Sequence, residues 1–206
     1  MNKYKLVSLV LAVALLASLV TVMKQRQTTA PVDTASVVFK NIYDRRSIRF
    51  FKDRVLSPAQ VDTLLRAAMA APTGRDRRPW RFVVVDQRAA LDTMGAHLPY
   101  AAMLIKAPMA IVVCGERTPR VPEAEDLWPY DCSAATENLL LMAQAMGLGA
   151  VWTAVHPYPD RVALVKRVLR LPENVIPLNV VPVGYPDDPA QPKRKYDRDN
   201  IHYNTW

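Results

Sequence analysis

The sequence predicts an α/β or α+β domain over residues 37–206, and three observations carry that reading. Helical and strand-like segments alternate around four short apolar strands, the pattern of a sheet covered by helices. The segment 131–146 is apolar on nearly every side, as a helix buried on all its faces must be, and in a domain this small a subunit interface is the expected way to bury it. Half of the 206 residues are hydrophobic, which lets a domain of this length bury a sizeable core.

Taken in order, Val37 to Tyr43 reads as a short helical stretch leading into Asp44-Arg45-Arg46-Ser47-Ile48-Arg49-Phe50-Phe51. Ser57 then opens a helix. It can cap, Pro58 suits the first turn, and Gln60 completes a capping box. Val61, Leu64, Leu65, Ala68 and Met69 give that helix one apolar face, and Pro72 ends it. Phe82 to Val85 is a buried strand and Ala110 to Cys114 a second, with a helical stretch from Gln87 to Lys106 broken near Pro99. Gly147 caps the apolar helix at its C-terminal end. Ala150 to Ala154 is the third strand, Asp160 to Leu171 an amphipathic helix closed by Pro172, and Leu178 to Val183 the fourth strand. The tail to Trp206 is polar, basic and aromatic, without a pattern of its own.

The N-terminus differs from the rest. Leu6 to Met23 runs eighteen residues without a charge between Lys3/Lys5 and Lys24/Arg26. The run is longer than a usual signal core and just long enough to span a bilayer, and no clean cleavage site precedes Lys24. Residues 1–26 are therefore read as an uncleaved membrane anchor, with a cleaved export signal as the alternative. Residues 27–36 are small and polar and read as a linker. The basic ends do not differ enough to orient the helix, and the export-like layout places the domain outside.

The formal charge of +8 suggests an anionic ligand, but the basic residues come in short separate groups. Such groups fit separate phosphate contacts better than a groove for nucleic acid. Cys114 and Cys132 sit in apolar settings without metal-ligand spacing and read as buried free thiols. His97, His156 and His202 lie far apart, and no metal site is expected. The sequence has no nucleophile elbow, zinc-binding helix motif, Walker loop or dinucleotide fingerprint. An enzyme of this kind borrows its chemistry from an organic cofactor.

Three segments bear on which cofactor. Arg45, Arg46, Ser47 and Arg49 place three guanidinium groups and a hydroxyl within five residues, suited to phosphate oxygens. Ala71 to Trp80 is a rigid polar loop between a helix and a buried strand, and Lys193-Arg194-Lys195 lies beyond the last strand. Each alone is more often plain surface. Together, in this order, they resemble the nitroreductase family. RRSIRFF is similar to its opening R-R-S-x-R-x-F, and AAPTGRDRRPWRFVVV to A-P-S-x-x-N-x-Q-P-W-x-F-x-V. DCSAATENLLLMAQAMGLGAVW is similar to its long central helix with a G-L-G-x-x-W ending, and VPVGYPDDPAQPKRK to its G-Y-P-x-x-x-P-x-x-K. The resemblance runs from Val37 to Trp206.

That resemblance implies an α+β fold, a three-layer sandwich around a mainly antiparallel sheet, in a homodimer with FMN at the subunit interface. It implies FMN contacts from Arg45, Arg46, Ser47 and Arg49, from Pro72 and Thr73, and from Trp152 and Thr153. Lys193 and Lys195 reach the phosphate from the other end of the chain, with Arg194 as a substitute for either. Asp76 and Arg78 are also expected at the cofactor, although the family usually has Asn and Gln there. An ionised Asp only accepts hydrogen bonds, so the change touches the tuning of the flavin more than its presence. Gly115 to Tyr130 is expected either to cover the acceptor or to pack the dimer surface.

The implied function is an FMN-dependent oxidoreductase with no catalytic acid, base or nucleophile. It carries electrons by a ping-pong mechanism from NADH or NADPH to a small-molecule acceptor such as a nitroaromatic or quinone. A dehydrogenase or dehalogenase of the same family is the alternative within the class. A non-enzymatic, basic membrane-associated binding protein is the alternative outside it.

Overall fold

The computed structural model describes residues 2–27, 33–117, 127–187 and 190–206, with only the backbone of 22–27. The chain divides into two compact units, Met1–Lys40 and Asn41–Trp206.

Helix α1 (Lys3–Gln27) opens the first unit. No proline or glycine interrupts it, and Leu, Val and Ala dominate its run. Its 25 residues reach roughly 37 Å at the α-helical rise, and Lys3–Thr21 is long and apolar enough to cross a membrane. The hydroxyls of Ser8, Ser18 and Thr21 donate to carbonyls one turn back, so these polar groups are satisfied within the helix. A signal sequence has the same features. Part of the expected linker, residues 28–32, lies outside the described residues.

Helix α2 (Thr34–Asp44) begins three residues before the expected Val37. Asp33 explains the earlier start: its carboxylate accepts from the Ala35 N–H at 3.1 Å and from the Ser36 hydroxyl.

The second unit is an α+β sandwich built on five antiparallel strands: β1 (Trp80–Val85), β2 (Met109–Glu116), β3 (Gly149–Ala150), β4 (Thr153–Ala154) and β5 (Val175–Gly184). Their order is β1-β2-β5-β3, with β4 also pairing β5. Helices α3 (Pro58–Met69) and α5 (Trp128–Ala145) cover one face. Helices α4 (Arg88–His97) and α6 (Pro159–Leu169) cover the other. Met109, Ile111 and Val113 of β2 point into the first layer, and Ala110, Val112 and Cys114 into the second. That alternation, with both faces buried, is why β2 and β5 are apolar almost without a break.

The expected cap of α3 is present. The Ser57 hydroxyl accepts from the Gln60 N–H, and the Gln60 side chain accepts from the Ser57 N–H at 3.0 Å. At the far end of α5, Gly147 takes φ 68°, with its N–H on the Gln144 carbonyl and the Leu148 N–H on the Ala143 carbonyl. This left-handed closure suits glycine.

One expectation is corrected. The third strand is not continuous but splits into β3 and β4. A β-bulge between β2 and β5 leaves Leu178 without a partner in β2, and its carbonyl accepts from the N–H groups of both Val155 and His156. That bulge lies beyond β4; the break itself, Val151 and Trp152, faces Pro182 and Val181 of β5 in unbroken register, where Pro182 brings no N–H to the ladder. Within one chain α5 keeps one face open, the face that burial at a subunit interface would have to cover. Tyr130, Ala134, Glu137, Leu141 and Ala145 are open or half-open, and their spacing puts them on one stripe.

Candidate functional site

Segment 45–49 is held against the end of β3. The Ile48 N–H donates to the Ala150 carbonyl at 3.1 Å, and Ser47 forms a parallel bridge with Ala150. Ile48 itself is buried against Gly149, where a Cβ would lie 2.5 Å from its side chain. Glycine at 149 is what lets the arginine segment come this close. Phe51 pairs with Pro186, and the Lys52 N–H donates to the Tyr185 carbonyl, so the stretch beyond β5 is tied to the same segment.

These ties bring two distant parts of the sequence together. Arg45, Arg46, Ser47 and Arg49 line a cavity of about 220 Å³ with Lys193 and Lys195. Ala190 and Gln191 complete the wall, and sequence reasoning did not single them out. Five cationic side chains and a hydroxyl face this space, and among the described residues no carboxylate lines it. The Nε of Arg46 is buried without a hydrogen-bond partner among the described residues. A buried, unsatisfied guanidinium donor in a cationic cavity is the arrangement a phosphate completes. The donor set fits a phosphate-bearing cofactor. Arg194 is exposed and does not line the cavity.

Arg45 is shared. Its Nε lies 3.2 Å from Glu137 on α5, a residue also missed by sequence reasoning. A carboxylate in the midst of the apolar run 132–146 was the available signal.

From Ala150 the backbone leads to Trp152, half-buried, and Thr153, buried with an unsatisfied hydroxyl among the described residues. Behind β4 the Asn179 amide donates to the Thr136 hydroxyl at 3.0 Å, while its own Oδ1 has no partner there.

The loop carrying Pro72, Thr73, Asp76 and Arg78 is not part of the cavity wall in a single chain. Its base is fixed: the Gly74 N–H donates to the buried Asp131 carboxylate at 2.9 Å, and the Arg78 N–H donates to the Thr73 hydroxyl. Its tip is strained, with Arg75, Asp76 and Arg78 at φ 55°, 53° and 51°. Asp76 and Arg78 form a bidentate pair at 2.7 and 2.6 Å. The hydrogen bond from Arg78 holds the Asp76 carboxyl below its ordinary range. The pair therefore presents a neutral, already hydrogen-bonded unit at positions expected to contact the cofactor singly. Residues 118–126, most of the expected acceptor loop, lie outside the described residues. Cys114 and Cys132 are free and buried. Among the described residues no group of three or more His, Cys, Asp or Glu could hold a metal.

Known proteins bear on this arrangement. A model of the Nitroreductase family matches residues 42–99 and 95–185. The chain is 42% identical over 169 residues to a "Putative NADH dehydrogenase/NAD(P)H nitroreductase" of Methanothermobacter thermautotrophicus, covering 82% of this chain and 87% of that one. The crystal structure of a protein of the same name from Parabacteroides distasonis is 53% identical, with TM-score 0.78 over 82% of this chain and 99% of the other. An FMN-dependent nitroreductase of Clostridium difficile is 26% identical, with TM-score 0.75 over 82% and 99%.

Proposed function

This chain belongs to the nitroreductase family, and on that premise we propose that it is an FMN-dependent oxidoreductase passing electrons from NADH or NADPH to an organic acceptor. The acceptor is a small molecule such as a nitroaromatic or a quinone. The observation that carries the reading is the cavity where Arg45, Arg46, Ser47 and Arg49 meet Lys193 and Lys195. These side chains would hold the phosphate, with the Arg46 Nε gaining the partner it lacks. The redox chemistry, a ping-pong transfer from donor to acceptor, is what FMN supplies when bound. The chain's own work is to bind and orient. Arg49 and the half-buried Trp152 would position the ring, and the cationic wall favours a ligand that gains negative charge. No side chain is assigned as acid, base or nucleophile.

Two features favour a homodimer as the working unit. The 72–78 loop stands apart from the phosphate cavity within one protomer, and a second protomer would bring Pro72, Thr73, Asp76 and Arg78 to the cofactor. The open stripe from Tyr130 to Ala145 on α5 offers a face for that contact. Residues 37–206 form the enzyme domain in this reading, linked by 27–36 to a membrane anchor at 1–26. The domain lies on the exported side.

The test is direct. Protein purified in detergent should be yellow and should release FMN, not FAD, on denaturation, as read by chromatography of the supernatant. FAD in that supernatant, or a protein that stays colourless after incubation with FMN, would remove the proposal.

A further inference from the structure

A second, larger cavity adjoins the phosphate pocket, and Arg49 lines both. We propose that this groove, about 820 Å³ in volume, is the binding site for the adenosine diphosphate half of the reduced dinucleotide. The inference rests on the oxidoreductase reading above and adds to it where the non-reacting part of the donor lies.

The groove is roomy enough for a small-molecule site. Two aromatic side chains line it in exposed positions, Phe50 at 65% and Tyr100 at 90% exposure. Rings of this size are rarely left so open, and a flat heterocycle gives them a stacking partner. The charges are mixed in a way that suits a nucleotide. Lys106 and Arg49 are cations for a diphosphate, while Asp53 and Asp187 can accept from an exocyclic amine or ribose hydroxyls. A purely anionic ligand would leave the two carboxylates opposed, and an apolar one would face a charged wall.

The walls are preformed. The Asp187 N–H donates to the Phe50 carbonyl at 2.9 Å, fixing that edge to the end of β5. On the other side Arg88 bridges to the carbonyls of Ala107 and Leu104 and is braced by Asp92. Tyr100 sits at φ 59° on the turn between α4 and the 102–105 helical turn. A non-glycine residue held in the left-handed region tends to mark a functional position. Because Arg49 is common to both cavities, a dinucleotide lying in the groove has its diphosphate close to the cofactor's own site.

The experiment uses full-length protein in detergent, loaded with FMN, and titrates it calorimetrically with ADP-ribose, a redox-inert fragment of the donor. Tyr100→Asn removes the ring but tolerates the backbone conformation, and Lys106→Glu reverses the charge. Each variant should weaken ADP-ribose binding by about tenfold. The KM for the reduced dinucleotide should rise in parallel, while the FMN dissociation constant stays at its original value. No ADP-ribose binding by FMN-loaded protein, or an affinity in both variants unchanged from that of the original protein, overturns the groove and leaves the flavin reading intact. Competition between ADP-ribose and FMN also overturns it, since the fragment would then sit in the phosphate pocket. Loss of the flavin reading shows itself separately, as protein that holds no FMN.

Discussion

Burying a polar group without a partner costs about 1–3 kcal/mol, and more for a charged one, so the Arg46 Nε is strained wherever no anion fills the cavity. Arg46→Ala should weaken FMN binding by about tenfold or more, whereas Arg167→Ala, an exposed residue of α6, should not change it. Arg45→Ala should fall between them, because Glu137 shares its guanidinium. Glu137→Gln should tighten FMN by freeing that group, and fluorescence titration of all four variants decides the order. The arginines were legible because their spacing with Ser47 forms a motif; the contact with Glu137, 92 positions away, leaves no mark on either neighbourhood. The thiols give a second residue-scale expectation. Burial pushes both Cys114 and Cys132 from 9.0 up to about 12, so the fold keeps protons that the unfolded chain releases. Their stabilisation is complete below pH 9 and is lost as pH climbs towards 12. Native protein at pH 8 should resist iodoacetamide until denaturant is added, and mass spectrometry showing prompt alkylation would contradict this burial.

At the scale of elements, the caps were readable because they are local chemistry. Ser57-Pro58-Ala59-Gln60 carries its own hydrogen bonds, and Gly147 its own backbone conformation. Gly147→Ala should therefore destabilise the domain by about 1 kcal/mol, visible as a lower urea midpoint with unchanged slope. No neighbouring atom lies within 4 Å of a Cβ at that position, so the cost is conformational and not a clash. The split of the third strand was not readable. It falls where Val151 faces Pro182 of β5, which has no N–H for the ladder, and nothing in the 150–154 run records what its neighbour does. The open stripe on α5 fits the subunit-interface burial expected of its apolar run, but which residues stay open was not readable. An apolar helix reads alike whether its last face meets its own chain or another.

For the whole molecule, the two compact units lead to a clean separation. Removing residues 1–26 should give a soluble dimer that keeps FMN, because every side chain lining the phosphate cavity lies after that point. Full-length protein should sediment with membranes, resist carbonate extraction and retain its N-terminal mass. A soluble chain starting near Lys24 would instead identify a cleaved signal. Loss of flavin with the anchor would show that the domain depends on its tether. Helix and strand periods showed a mixed class, the family resemblance implied the three layers, and the alternation of β2 between two cores stayed open.

The phosphate cavity also imposes an order of events during synthesis. Its first wall, residues 45–49, leaves the ribosome early, but its second, residues 190–195, follows the whole sheet. Helices and strands can assemble while translation continues, yet the cation pair at 193 and 195 is not there to meet the arginines until the sheet is complete. Flavin capture is thus among the last steps in maturation. A released chain ending at Asp187 should have a folded sheet and stay colourless, whereas one that continues through Lys195 should turn yellow.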